Sequence, residues 1–133
     1  MYSMKECCTK TGLNYDTLKY YCNQGLIPNV KRDKNNNYRV FDDNDIEWIK
    51  SLICLKKCNF TMSEMKKYIE LCLKGKESLQ ERKQMLIEHK KQIESEIASL
   101  NETLNFINWK TDLYNKFISG EKEYYSYLIK TDK

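Results

Sequence analysis

The fold is decided by residues 11–28, whose sequence is TGLNYDTLKYYCNQGLIP. Asn14 can accept a hydrogen bond from the first free N–H groups of a helix, so a helix is predicted to begin there. The apolar side chains spaced at i, i+3 and i+4 on its inner face are Leu18, Tyr21 and Cys22. Gly25 predicts the end of this helix, because glycine readily takes the left-handed conformation that closes a helix.

A shorter helix is predicted just upstream of this one. Met4, Cys7 and Cys8 have the same i, i+3, i+4 spacing, and residues 11–13 interrupt the pattern at Gly12. Two short helices around a glycine-bearing turn are typical of a helix-turn-helix.

A small hairpin and two further helices are predicted next. Residues 30–32 and 38–41 are short extended runs around an Asn- and Asp-rich turn. Asp42 or Asp43 would cap the third helix, and a capping box of Thr61 and Glu64 would open the fourth after a break at Asn59-Phe60. The expected inner positions are Ile46, Trp48, Ile49, Leu52 and Ile53 in the third helix, and Met65, Tyr68, Ile69 and Cys72 in the fourth.

The longest helix is predicted from Ser78 to about Phe117. A second capping box, Ser78 with Glu81, would open it, and about 40 residues without a breaker would extend roughly 60 Å. One apolar stripe on so long a helix needs a partner helix, most simply that of a second copy of the chain in a coiled coil. The predicted dimerisation seam consists of Leu79, Leu86, Ile93, Ile97, Leu100, Leu104 and Ile107.

The chain is therefore expected to be mainly α-helical and to have three parts. Residues 1–76 would form a helical domain with a hairpin, residues 77–119 the dimerisation helix, and residues 120–133 a short Tyr-rich tail. The sequence leaves open whether that tail is ordered.

Composition and charge restrict the function. No stretch is apolar enough to span a membrane and no signal-peptide core is present, so membrane and secreted classes are excluded. Six cysteines without a secretory signal indicate a reducing cytoplasm. Residues 1–76 carry 14 Lys and Arg against 9 Asp and Glu, which favours contact between this part and a polyanion.

These motifs resemble the MerR family of bacterial transcription regulators. Residues 11–28 are similar to that family's signature TG-[VL]-x3-TLRYY-x3-GLLxP, residues 38–41 to its wing, and residues 59–62 to its boundary before helix four. The resemblance implies a winged helix-turn-helix DNA-binding domain in residues 1–76. Lys19 stands where the family usually has Arg, and Asn37 replaces the usual wing glycine, although Asn tolerates a positive φ.

The residues expected to contact DNA lie at the start of the second helix and in the hairpin. Short polar groups at a helix start suit base edges in a major groove, and cations beside phenols suit phosphate oxygens. The candidates are Asn14, Tyr15, Thr17, Lys19, Tyr20, Tyr21, Lys31, Arg32, Tyr38 and Arg39. Tyr21 could equally be part of the core, and Lys31 a solvated wing charge.

The resemblance also implies a mechanism. Members of the family bind double-stranded promoter DNA as homodimers at pseudo-palindromic sites and bend and untwist it, which brings promoter elements into register for RNA polymerase. No cofactor is expected. Whether this chain activates or represses is left open.

Three alternatives to this function are weighed. An enzyme is not expected, because the one histidine, His89, is predicted to be a surface residue of the long helix and no catalytic cluster accompanies it. A coiled-coil adaptor that does not bind DNA would leave the basic helix-turn-helix and hairpin unexplained. A metal-responsive MerR-type sensor would carry cysteines at the start of the long helix and after it, whereas no cysteine follows Cys72.

Cys54 is the candidate effector-sensing residue. Its segment, and the run from Gly75 to Arg82, resemble the MerR subgroup that responds to aldehydes and other electrophiles, which has a cysteine at this place on the third helix. Nearby Lys50, Lys56 and Lys57 could stabilise a thiolate. The alternative is that Cys54 only fills the core, as Cys7, Cys8, Cys22 and Cys72 are expected to do.

Overall fold

The computed structural model describes residues 1–130 and confirms a mainly helical chain with a small β-hairpin. Within that range no helix is both long and apolar enough to cross a membrane. The elements are α1 (Met4–Thr11), α2 (Tyr15–Asn23), β1 (Lys31–Arg32), β2 (Arg39–Val40), α3 (Asp43–Lys57), α4 (Met62–Leu73), a 3-10 turn (Gly75–Ser78) and α5 (Leu79–Ser119).

The chain forms two compact units, and their boundary falls inside α5. One unit, called the head below, runs from Met1 to Lys90, and the other begins at Lys91. The head therefore keeps the first turns of the long helix, whereas the sequence placed the boundary at residue 76.

Side-chain caps fix the starts of α1 and α2. Ser3 and Glu6 form a capping box on α1, and the chain then turns at Gly12, whose φ is +82°. Asn14 Oδ1 accepts a 2.8 Å hydrogen bond from the backbone N–H of Thr17, which confirms the predicted cap of α2. Gly12 ends α1 and Asn14 begins α2, so residues close to the turn define it. The two helices therefore form the predicted helix-turn-helix.

The predicted hairpin is present and is called the wing below. β1 and β2 pair antiparallel, with Arg32 opposite Arg39, and Asn37 takes a φ of +61° in the turn. A bridge that the sequence did not predict joins Tyr2 to Phe41 through two backbone hydrogen bonds of 2.7 and 2.8 Å. The first residues of the chain thus extend the small sheet.

The starts of α3 and α4 agree with the sequence. Asp42 caps α3 in a capping box with Asp45, and Thr61 and Glu64 form the predicted box on α4. Asn59, with a φ of +67°, makes the turn between the two helices. In α3 the buried apolar positions are Ile46, Ile49, Leu52 and Leu55, and the expected Trp48 and Ile53 are half-buried instead.

The core of the head draws on every short helix and on the loops between them. Burying a large apolar side chain contributes about 1.5–3 kcal/mol, so this cluster supplies most of the stability of the head. Trp48 borders it and donates from Nε1 to the Leu26 carbonyl at 2.8 Å. The side chains with almost no exposure are Cys7, Leu18, Leu26, Ile27, Phe41, Ile49, Leu52, Phe60 and Met65.

The capping box predicted at Ser78 is wrong. Ser78 belongs to the 3-10 turn that precedes α5, and its buried hydroxyl donates backward to the carbonyls of Leu71 and Gly75 instead of accepting from Glu81. Arg82 Nε donates to the same hydroxyl at 3.0 Å. The serine therefore joins α5 to the end of α4 and does not cap a helix start.

The second unit contains the rest of α5 and the start of the tail. α5 ends at Ser119, where Gly120 takes a φ of +81° and the Lys122 N–H bonds to the Lys116 carbonyl. The rings of Tyr124 and Tyr125 lie edge-on against Phe117 at 5.3 and 5.2 Å. Tyr124 and Tyr125 of the tail thus pack against the end of α5, and residues 131–133 lie outside the described residues.

Candidate nucleic-acid interface

A hollow of about 430 Å³ opens between the starts of α1 and α2 and the wing. Four of the predicted DNA-contact residues line it together: Tyr15, Arg32, Tyr38 and Arg39. The sequence missed three other lining residues, Ser3, Met4 and Lys5. Lys5 adds a third cation, and the one signal for it was its place in the first turn of α1, the first helix of the helix-turn-helix.

The two wing arginines are held by their neighbours. Arg39 Nη2 donates a 2.8 Å hydrogen bond to Asn23 Oδ1 at the end of α2, and Arg32 Nη1 donates to the Asn37 carbonyl at 3.0 Å. Each bond uses one of the five donors of a guanidinium. Because these bonds hold the two guanidinium groups in place, their remaining donors are suited to bind phosphate oxygens.

The exposed start of α2 carries the base-reading candidates. Tyr15 and Lys19 are exposed and Thr17 is half-buried. Asn14 uses its side-chain oxygen as the helix cap, and its amide N–H₂ remains available for another partner. A donor of this kind matches the acceptor atoms of purines in a major groove.

The two adjacent tyrosines of α2 have different surroundings. Tyr20 is 49% exposed, whereas Tyr21 is 7% exposed and belongs to the hydrophobic core. Burial raises the pKa of the Tyr21 phenol. The core interpretation of Tyr21 is therefore correct, and its ring does not belong to the exposed contact surface.

Lys31 lies at the other side of the wing. Its Nζ is 3.8 Å from Asp42 Oδ2, and both side chains are partly exposed. The Asp45 backbone N–H, and to a smaller degree the charge of Lys31, hold the pKa of the Asp42 carboxyl below its usual value. An exposed ion pair of this length contributes little to stability, so Lys31 can exchange Asp42 for a phosphate.

Cys54 is exposed on α3. The interpretation of this residue as a core filler is therefore wrong for the chain described here. Lys50, Lys56 and Lys57 are exposed on the same helix, as the sequence analysis assumed. Of the cysteines assigned to the core, Cys7 is buried, and the half-buried ones are Cys8, Cys22 and Cys72.

His89 is not a surface residue, contrary to the sequence analysis. It is 5% exposed, its Nε2 lies 2.6 Å from Glu64 Oε2, and its ring stacks on Phe60 at 4.2 Å. The contact joins residues 25 positions apart, which a helical pattern cannot reveal. The hydrogen bonds from Thr61 and from His89 lower the pKa of the Glu64 carboxyl.

The seven residues of the predicted seam are not covered in the chain described. Ile93 is half-buried and the other six are exposed, with Leu100 the most exposed at 65%. Their exposure fits the expectation that this stripe needs a partner.

Comparison with known proteins agrees with this geometry. The family model described as MerR HTH family regulatory protein matches residues 2–72. An uncharacterised HTH-type transcriptional regulator of Haemophilus influenzae is 31% identical over 115 residues, which cover 86% of this chain and 84% of the relative. The HTH-type transcriptional regulator AdhR of Bacillus subtilis is 33% identical over 82 residues, covering 62% of this chain and 58% of AdhR.

Solved structures show the same arrangement of elements. The crystal structure of HiNmlR, a MerR family regulator lacking the sensor domain and bound to promoter DNA, matches with a TM-score of 0.69 and 30% identity. The match covers 89% of this chain and 93% of HiNmlR. A putative MerR family transcriptional regulator of Listeria monocytogenes matches with a TM-score of 0.76 and 25% identity over 92% of both chains. The chain belongs to the MerR family of helix-turn-helix transcriptional regulators.

Proposed function

We propose that this regulator binds a pseudo-palindromic promoter site as a homodimer and distorts the DNA to control transcription by RNA polymerase. The observation that carries the proposal is the hollow in which Tyr15, Arg32, Tyr38 and Arg39 meet. Its relative HiNmlR was solved on promoter DNA, which supports the same partner here. The chain acts in the cytoplasm, without a cofactor and without catalysis.

The DNA-contact set is the predicted one with two changes. Tyr21 leaves it because its ring is buried, and Lys5 enters it because it lines the hollow with the wing arginines. The set assigned to phosphate and base contact is Lys5, Asn14, Tyr15, Thr17, Lys19, Tyr20, Lys31, Arg32, Tyr38 and Arg39. Several cations on one surface give a binding constant that falls steeply with salt.

The homodimer forms through the α5 seam from Leu79 to Ile107. Fully burying a Leu or Ile side chain contributes about 1.5–3 kcal/mol, so covering the exposed part of this stripe favours association. In functional terms residues 1–76 bind DNA, residues 77–119 dimerise, and residues 120–133 are a tail. Two DNA-binding domains on one dimer then read two half-sites.

Cys54 is the residue through which a small electrophile, such as an aldehyde, acts as effector. Its exposure supports this assignment, because a thiol must be reachable before it can form an adduct. α3 also supplies the core residues Ile49 and Leu52, so an adduct on its outer face could shift a helix that packs against the helix-turn-helix.

A gel shift with salt titration tests the proposed function. The probe is the DNA upstream of the gene, and the competitor is a duplex of the same composition in scrambled order. We expect a shifted band that resists the competitor and weakens linearly with the logarithm of salt concentration. If the scrambled duplex competes equally at every salt concentration, the proposed function is wrong.

A further inference from the structure

A pocket of about 150 Å³ lies in the head, where the loop after α2, the first turns of α3 and the end of α4 meet. Since an apolar cavity of about that size can hold benzene, the pocket suits a ligand of about six non-hydrogen atoms. Asn29 before β1 and Asn44 after β2 both line it. An occupant would therefore contact the segments that carry the two ends of the wing.

One wall of this pocket is Asp45, a carboxylate that is only 4% exposed. Its Oδ2 accepts the Asp42 backbone N–H at 3.0 Å in the α3 capping box. Among residues 1–130, no donor lies within hydrogen-bond distance of Oδ1. This oxygen is not fully enclosed, so the small exposed part of Asp45 includes it. A buried carboxylate is stable when donors or a cation surround it, and Oδ1 can still accept one.

The cations nearest to this carboxylate are bonded elsewhere. Lys31 Nζ is 3.8 Å from Asp42 Oδ2, and Arg82 donates to Cys72 and to the turn before α5. Neither Lys31 nor Arg82 lines the pocket. Burial raises the pKa of the Asp45 carboxyl, and the Asp42 N–H and the charge of Lys31 offset that rise only in part. The negative charge of Asp45 is therefore incompletely balanced within the head.

The other walls suit the carbon skeleton of a ligand. Trp48 lines the pocket, and the bond from its Nε1 to the Leu26 carbonyl holds the indole ring in place. Ile69 and Leu73 of α4 add apolar side chains. An aromatic ring beside a carboxylate attracts an organic cation and also covers its methylene groups. A metal ion fits less well, since no three metal-ligating side chains converge within the part of the chain that the structure describes.

We propose that this pocket binds a small organic cation, a primary ammonium ion, whose N–H groups bond Asp45 Oδ1 and whose carbon chain lies against Trp48 and Ile69. Neither the homodimer nor the proposed DNA contacts are needed for this binding, because none of these three residues belongs to either set. Cys54 is not needed either, because it does not line the pocket.

Two substitutions separate the charge of Asp45 from the general acidity of α3. Asp45→Asn removes the charge and keeps a side-chain oxygen that can accept the Asp42 N–H. Asp43→Asn removes the same charge in the same turn, at an exposed position outside the pocket. It also keeps an oxygen for the hydroxyl of Tyr2, so it is the matched control.

The experiment follows the NMR signal of the Trp48 indole N–H, which is assigned from the spectrum of Trp48→Phe. The probe is n-butylammonium chloride at about pH 7, where an alkylammonium ion is protonated. The comparison ligand is 1-butanol, which has the same chain length and no charge. Sodium chloride at the same ionic strength is the blank, and circular dichroism shows that each variant is folded.

We expect n-butylammonium to shift this signal saturably, with half-saturation at about 1 mM or below. 1-Butanol should bind at least about tenfold more weakly to the wild-type protein. Asp45→Asn should weaken n-butylammonium binding at least about tenfold, whereas Asp43→Asn should stay within about twofold of the wild-type protein.

Three outcomes would overturn the proposal. A shift that does not saturate would mean that no site exists, and equal binding of 1-butanol would mean an apolar pocket without a cation site. Equal losses in Asp43→Asn and Asp45→Asn would indicate diffuse attraction to the acidic start of α3. If Asp45→Asn does not fold, the comparison of the two ligands on the wild-type protein decides alone. None of these outcomes bears on DNA binding, so the proposed function would stand or fall separately.

Discussion

Arg39 in the wing donates a 2.8 Å hydrogen bond to Asn23 at the last position of α2. The bond joins the two parts of the head that are assigned to DNA, the helix-turn-helix and the wing. It holds a guanidinium between them, so one side chain has a structural contact and a charge available to DNA at the same time.

Arg39→Ala is expected to weaken DNA binding about tenfold for specific and unrelated sequences alike, because a phosphate contact carries no sequence information. The slope of log K against log salt should become shallower by about one unit. Fluorescence anisotropy at several salt concentrations measures both quantities. Asn23→Ala is the control, since it removes the hydrogen bond and keeps the charge. An unchanged slope in Arg39→Ala would remove Arg39 from the contact set.

Leu100→Glu is expected to convert the dimer to a monomer. Leu100 is the most exposed residue of the seam, and a charge there would have to be buried in the dimer without a partner. Sedimentation at micromolar concentration should show dimers for the wild-type protein and for Glu102→Gln, which alters an exposed neighbour. A dimer that persists in Leu100→Glu would place the interface elsewhere.

Cys54 is expected to react with electrophiles much faster than Cys7. Cys54 is exposed, whereas Cys7 is buried and burial raises the pKa of its thiol to about 12. Mass spectrometry after brief exposure to iodoacetamide or an aldehyde would measure the adduct at each position. A reporter strain carrying Cys54→Ala should lose the response to the electrophile. A normal response from that strain would mean that the effector acts elsewhere.

Acid is expected to weaken the Glu64 contacts. The pKa of Glu64 is lowered from 4.5 in the folded protein, chiefly by the Thr61 N–H and then by His89. Its contribution is therefore present above pH 4.5 and is lost as the pH falls through the lowered pKa. Urea unfolding between about pH 6 and about pH 3 should show a smaller loss of stability for Glu64→Gln than for the wild-type protein. Glu70→Gln, at an exposed site of the same helix, should behave like the wild-type protein.

Where the sequence predicted correctly, the cause lay within a few residues. Asn14 and Thr61 cap the helices that follow them directly, Glu64 completes the capping box from within α4, and Asn37 takes the positive φ that its short polar side chain tolerates. The same rule failed at Ser78, because its hydroxyl meets a carbonyl seven residues back. The position of the Leu71 carbonyl depends on how α4 ends, and the four-residue capping-box motif carries no information about that.

The candidate site shows the same division between local and distant causes. The wing arginines were found from their place beside a turn, but Lys5 was missed because only folding brings α1 to the wing. His89 was misassigned for a similar reason, since its partners Glu64 and Phe60 lie on the other side of a helix junction. Periodicity assigns faces within one helix and says nothing of what another element places against them.

The bridge between Tyr2 and Phe41 gives the wing a second support. A hairpin of two short strands is flexible when it is attached only at its base. Here the base is also braced by the chain start, and the Tyr2 hydroxyl donates to Asp43 Oδ1 at 2.7 Å. Because the wing is fixed both by strand pairing and by Tyr2, a force on its turn at residues 34–36 is expected to be transmitted to the starts of α1 and α3.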